Sequence, residues 1–151
     1  MRLPNYLYLG PATLADVDRL FSIHRAALGS YVEATWGWDE AWQADYFREH
    51  FDTSIRRVIC YADNDIGFLD VVTRPDAVVL QNIEIHPQYQ GRGIGSELIG
   101  RILTSAKNHG VPVRLQVLKV NSRARSLYER LGFVLIGETE THFEMEHPDA
   151  S

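Results

Sequence analysis

The sequence predicts an α/β or α+β domain with a parallel strand pair at its centre. Three observations predict it. An apolar run over 78–85 leads into a glycine-rich turn at 90–95, and that turn opens a strongly amphipathic helix. Val113, Leu115 and Val117 then alternate as a strand, and a strand–helix–strand connection of this length sets its two strands parallel. A second helix and two closing strands complete the order strand, turn, helix, strand, helix, strand.

The elements follow in turn. Residues 5–10 read as a first strand. Thr13-Leu14-Ala15-Asp16 has the form of a capping box with Asp in place of Glu. Leu14, Val17, Leu20, Phe21 and His24 recur at helical spacing and predict a helix to about residue 28. Asp39 is placed to cap a second helix. Residues 56–61 and 66–72 read as strands around a turn at Asp63-Asn64-Asp65, and Arg74-Pro75-Asp76 makes the next turn. The run 78–85 breaks its own alternation, with Val78 and Leu80 apolar on even positions and Ile83 and Ile85 on odd ones. Two readings stand: a β-bulge near Gln81-Asn82, or a strand buried on both faces.

Ile94, Leu98, Ile99, Ile102, Leu103 and Ala106 form the stripe of the central helix; Gly110 ends it and Pro112 prevents a restart. Asn121-Ser122 opens a short helix carrying Ala124, Leu127, Tyr128 and Leu131 on one face, and Gly132 closes it. Residues 133–137 and about 141–147 read as the last strand pair. One domain over 1–147 is expected, followed by a short tail at 148–151.

Composition excludes several function classes. A length of 151 residues suits one domain, and a 45% hydrophobic, 23% charged chain is an ordinary globular one. A formal net charge of −5 speaks against broad nucleic-acid binding. No apolar stretch has the length of a membrane span, so no membrane partner is expected, and Met1-Arg2-Leu3-Pro4-Asn5 does not start a signal peptide. Cys60 is the only cysteine, inside Val58-Ile59-Cys60-Tyr61. It reads as a buried structural thiol rather than a nucleophile, and a cytoplasmic setting fits. Histidines 24, 50, 86, 109, 142 and 147 show no metal-ligand spacing, so no metal is expected.

The turn Gln90-Gly91-Arg92-Gly93-Ile94-Gly95 carries the chemistry. The first N–H groups of a helix have no internal partner and sit at the positive end of its dipole, and glycines let a phosphate approach the backbone. A dinucleotide site would need Gly-x-Gly-x-x-Gly and an acidic residue about 20 positions on. Here the glycines fall at 91, 93 and 95, and the next strand leads to Lys119.

Three features together resemble the GNAT superfamily of acetyl-CoA-dependent N-acetyltransferases. They are Gln90-Gly91-Arg92-Gly93-Ile94-Gly95, the upstream Ile83-Glu84-Ile85-His86-Pro87, and Asn121-Ser122-Arg123-Ala124-Arg125-Ser126-Leu127-Tyr128-Glu129-Arg130-Leu131-Gly132-Phe133. Ala12-Thr13 and Asp16 are similar to the superfamily's usual start. The resemblance implies an α+β (α/β/α) GNAT fold: a mixed, mostly antiparallel sheet with a splayed parallel strand pair at the acetyl-CoA site. It implies that acetyl-CoA is the acetyl donor. Gln90, Gly91, Arg92, Gly93, Ile94, Gly95 and Ser96 would hold its pyrophosphate, and Ile83, Glu84 and Ile85 would pair by backbone with its pantetheine arm. The backbone N–H of Ile85 is the expected oxyanion donor.

Asn121 reads as a helix cap, and the resemblance implies a compatible second role as a coenzyme contact. Tyr128 has a core role by its helix face; the resemblance makes it a coenzyme contact and the general acid for the leaving thiolate. Glu84 is the nearest carboxylate for a general base, against the plain reading of an exposed strand carboxylate. Some family members have Glu on the following central strand, where this chain has Gln116. Tyr31, Trp36 and Trp38 are the candidate acceptor-binding residues. Aromatics of 31–51 interspersed with Glu33, Asp39, Glu40 and Asp45 would cradle a cationic amine, or would simply pack the helices.

The expected function is transfer of acetyl from acetyl-CoA to a primary amine of a small molecule or peptide. The alternatives are a protein N-terminal or lysine acetyltransferase and a non-catalytic acyl-CoA-binding regulatory module. A homodimer is left open.

Overall fold

The computed structural model describes residues 6–148; residues 1–5 and the part of the expected tail from 149 on lie outside the described residues. Among the described residues seven strands and four α-helices follow one another as β1 Leu7–Pro11, α1 Val17–Trp36, α2 Glu40–Glu49, β2 Arg56–Tyr61, β3 Asn64–Thr73, β4 Val78–Ile85, α3 Ile94–Asn108, β5 Val113–Leu118, α4 Ser122–Arg130, β6 Val134–Glu138 and β7 His142–His147. The sheet order is β1-β2-β3-β4-β5-β7-β6. Pairings β1–β2, β2–β3, β5–β7 and β6–β7 are antiparallel and β4–β5 is parallel, so the expected mixed sheet is present. The chain falls into two compact units: the described residues up to Asp70 with Asn82–Ile94, and Val71–Gln81 with the described residues from Gly95 on.

In the first unit the Asp16 carboxylate accepts the Thr13 N–H at 2.8 Å, which satisfies a free donor where the chain turns into helix. α1 buries Val17, Leu20, Phe21 and Ile23. It runs past the expected end near 28 to Trp36, with Val32 also buried. Gly29 lies inside the helix. The stop is Gly37, whose φ of 83° needs no Cβ and whose N–H donates to Glu33 O at 3.0 Å. Asp39 caps α2 as expected, its Oδ1 accepting the Trp42 N–H at 3.0 Å. β2 and β3 form a hairpin in which Tyr61 faces Asn64, so the turn is Ala62-Asp63, both at positive φ (50° and 67°). It sits a residue earlier than expected because alanine gives little sign of a left-handed position.

The core of this unit gathers Leu20, Phe21, Ile23, Phe47, Phe51, Val58, Cys60 and Phe68. Arg56 is buried in it, its guanidinium 4.1 Å from the Phe68 ring centroid and 4.9 Å from those of Phe47 and Phe51. Asp70 holds that cation with two bonds, at 3.0 and 2.7 Å, and also accepts from Asn82 Nδ2 at 2.8 Å.

β3 comes so close to β4 at Gly67 that a Cβ there would overlap the Glu84 carbonyl oxygen. It would also stand 3.0 Å from Glu84 C and 3.1 Å from Ile85 Cα. Burial in β4 does not change face as the apolar pattern suggested: the buried positions, Val78, Leu80 and Glu84, are all even. Gln81 and Asn82 are both exposed, and burial resumes at Glu84, while Ile83 and Ile85 are half-buried.

In the second unit Val78, Val79 and Leu80 pair in parallel with Val113, Arg114 and Leu115. α3 buries Leu98, Ile99, Ile102 and Ala106 as its stripe requires, and Gly110 (φ 65°) follows its end. Asn121 Oδ1 accepts the Ala124 N–H at 3.1 Å and caps α4.

The backbone contact at Gly67 generates a stability prediction. Gly67→Ala places a methyl against fixed backbone and should destabilise the protein by about 3 kcal/mol, lowering Tm by roughly 6–12 °C in a thermal melt. A Tm within about 2 °C of the parent would show that β3 and β4 separate at little cost.

Candidate active site

The site begins where β4 meets α3. His86 N–H donates to Ile66 O at 2.8 Å and anchors the strand end. Pro87–Tyr89 form a single 3₁₀ turn, with His86 Nδ1 accepting the Gln88 N–H at 3.2 Å. Gln90 Nε2 donates to Ile85 O at 2.8 Å, so the turn is tied back to the strand that precedes it. Gly91 and Gly93 then take φ of 75° and 83°, the left-handed region that side chains avoid. Gly91, Arg92 and Gly93 are exposed, and Ile94 plunges into the core as the first residue of α3. The Arg92 guanidinium lies 5.1 Å from the Tyr89 ring centroid. An open backbone turn without Cβ atoms at two positions, ahead of a 15-residue helix, fits a phosphate group.

Glu84 is not the exposed strand carboxylate of the plain reading. Its side chain is 4% exposed, and Oε1 lies 2.6 Å from His24 Nδ1 on α1. His24 is packed among aromatic rings, with centroids 6.2 Å from Phe21, 6.0 Å from Trp38 and 5.4 Å from Phe47. Sequence reasoning took His24 only as a member of a helix face. Its partner is 60 positions away, and the available signal was a histidine on an apolar stripe.

The acceptor candidates divide. Trp36 is the last residue of α1 rather than a loop residue, and it is 59% exposed. Tyr31 is half-buried on the same helix. Trp38 lies on the connection but packs on the core, stacked on Phe21 at 6.1 Å. Trp38 Nε1 also donates to Glu40 Oε1 at 2.9 Å. Three of the four carboxylates expected to cradle a cation are engaged locally. Glu33 accepts the Trp38 N–H, Asp39 caps α2, and Glu40 pairs with Arg25 and Trp38.

In the second unit Tyr128 is buried and meets Phe133 edge-on at 5.8 Å; Phe133 N–H donates to Tyr128 O at 3.0 Å. Gln116 is exposed on β5. This unit also holds Gly95, Ser96 and Asn121. Among the described residues no cluster of three metal-ligating side chains occurs, and no helix is long and apolar enough to cross a membrane.

These features coincide with a known class. The chain belongs to the Acetyltransferase (GNAT) family, whose model matches residues 18–133. An uncharacterized Mycobacterium leprae protein is 28% identical over 95% of this chain and 39% of its own length. The ribosomal protein bS18-alanine N-acetyltransferase of Haemophilus influenzae is 40% identical over 45% of this chain and 47% of its own. The chain thus spans less than half the length of these curated relatives. The PaiA N-acetyltransferase of Thermoplasma acidophilum, solved with coenzyme A, shares the fold with a TM-score of 0.74 at 19% identity, covering 94% of this chain and 98% of that one.

Cys60 is buried, and its thiol is pushed up to about 11 by desolvation first and by Asp65 second. Alkylation of the native protein should therefore show a pH midpoint near 11 rather than the ordinary 9.0. Labelling by iodoacetamide as fast at pH 8.5 in the native as in the unfolded protein would contradict this burial.

Proposed function

We propose that this chain transfers an acetyl group from acetyl-CoA to a primary amine. The observation that carries the reading is the exposed turn of left-handed glycines at the head of α3, in a chain of the acetyltransferase family. Backbone N–H groups of 91–96 bind the pyrophosphate, with Arg92 adding charge. The backbone of Ile83, Glu84 and Ile85 pairs with the pantetheine arm, and the Ile85 N–H faces the thioester oxygen. When bound, the coenzyme supplies an acetyl thioester. Asn121 contacts the coenzyme in addition to capping α4, and Tyr128 protonates the departing thiolate; both roles rest on the family motif. Trp36 and Tyr31 line the acceptor side, and Trp38 supports it from the core. Similarity to the Haemophilus ribosomal protein bS18-alanine N-acetyltransferase favours a protein amine as the second acceptor reading. The lone buried thiol of Cys60 supports a cytoplasmic setting.

Purified protein given acetyl-CoA and a panel of small amines and peptides should release free thiol. Binding without release from any acceptor would favour a regulatory acyl-CoA module, and absence of both would overturn the proposal. Gly93→Val puts a β-branched residue at φ 83° and should weaken acetyl-CoA binding at least tenfold in calorimetry, about 1.4 kcal/mol. Tyr128→Phe should lower kcat about 100-fold with little change in the coenzyme Kd; normal turnover would remove Tyr128 from the reaction.

A further inference from the structure

An amine nucleophile arrives at neutral pH as an ammonium, with a pKa of about 10.4 for a lysine-like group. Some group must take its proton. Two titratable side chains meet beside the strand segment 83–85, and their burial ranks them. Glu84 is 4% exposed, whereas His24 keeps 15% of its side chain exposed. The bond between them joins Glu84 Oε1 to Nδ1 of His24 at 2.6 Å. A carboxylate accepts and does not donate, so a neutral imidazole in this bond carries its hydrogen on Nδ1 and has its lone pair on Nε2. Nε2 forms no hydrogen bond among the described residues, yet it is not among the buried atoms left without a partner. It therefore reaches solvent. The rest of the ring faces Phe21, Trp38 and Phe47, which are uncharged and hold its plane.

Resting on the acetyl-transfer reading above, we propose that His24 Nε2 is the general base that deprotonates the acceptor amine, and that buried Glu84 is the positioning residue that sets its tautomer and balances the imidazolium. The assignment moves the base from the strand carboxylate to a helix histidine. The ammonium gives one proton to Nε2 and becomes a neutral amine. Its lone pair forms the C–N bond, and the C–S bond breaks with its electron pair on sulfur. The surplus proton of the new amide nitrogen is matched by the one the thiolate takes up, so amide and free thiol result. His24 then returns its proton to water.

The test compares His24→Asn with Glu84→Gln in the thiol-release assay. Asn keeps an N–H for Glu84 and cannot hold a transferred proton. His24→Asn should lose about 100-fold in kcat/KM for the amine near pH 7, with acetyl-CoA affinity unchanged. The deficit should shrink towards pH 10 as the amine deprotonates itself, and added imidazole should restore part of the rate. Glu84→Gln should lose less than His24→Asn. A larger loss in Glu84→Gln, or a His24→Asn enzyme with half the parent rate, overturns the assignment. An inactive parent protein would instead defeat the acetyltransferase reading itself. Should the variants misfold, ¹⁵N spectra of the parent decide the tautomer: a pyridine-like Nε2 is expected, and a proton on Nε2 of the neutral ring would overturn the proposal.

Discussion

A carboxylate removed from water must be compensated, and the way Glu84 is compensated organises the first unit. Its side chain is sealed in the core, where an unpaired charge would cost several kcal/mol, on the order of the whole stability of a domain. The partner comes from α1, so the His24–Glu84 bond fixes the rotation of that helix against β4. The rings of Phe21, Trp38 and Phe47 then pack around the imidazole. Gly67 completes the constraint. Only a residue without Cβ lets β3 approach the Glu84 backbone as it does, so the strand carrying the carboxylate has little freedom to shift.

A second buried charge in the same unit is handled differently. Arg56 is held by both oxygens of Asp70 and faced by three phenyl rings, and Asn82 completes the carboxylate's shell. Arg56 and Asp70 are both buried, and one guanidinium nitrogen, Nη1, is buried without a hydrogen-bond partner. The network joins β2 and β3 to Asn82 on β4. The contrast separates the two ionic clusters by what they join: one fastens strands, and the other ties α1 to β4.

Local chemistry was the legible part of the sequence. The caps at Asp39 and Asn121, the glycine stop after α3 and the glycine turn before it each depend on a few neighbouring residues, and the structure has them where periodicity and turn residues indicated. The helix end expected near 28 fell short because the apolar positions that predicted the helix stop at His24, whereas the left-handed stop is at Gly37. The apolar shift to Ile83 and Ile85 suggested that those residues face inward; the buried position is Glu84, because a paired carboxylate can occupy a core site that hydrophobicity would not assign to it. Likewise the acidic residues around Trp38 suggested a cation cradle, but Glu33, Asp39 and Glu40 each satisfy a nearby N–H or guanidinium. The His24–Glu84 pair spans 60 residues, beyond any local pattern.

The central proposal is that backbone N–H groups at 83–85 and in the glycine-rich segment 91–96 bind the acetyl donor. Hydrogen–deuterium exchange with and without acetyl-CoA tests this most directly, since it reads the backbone N–H groups themselves. Slower exchange at 83–85 and 91–96 with acetyl-CoA, and no such change with NAD at the same concentration, is the predicted result. Unchanged exchange at both segments with acetyl-CoA, or equal protection by NAD, would contradict it.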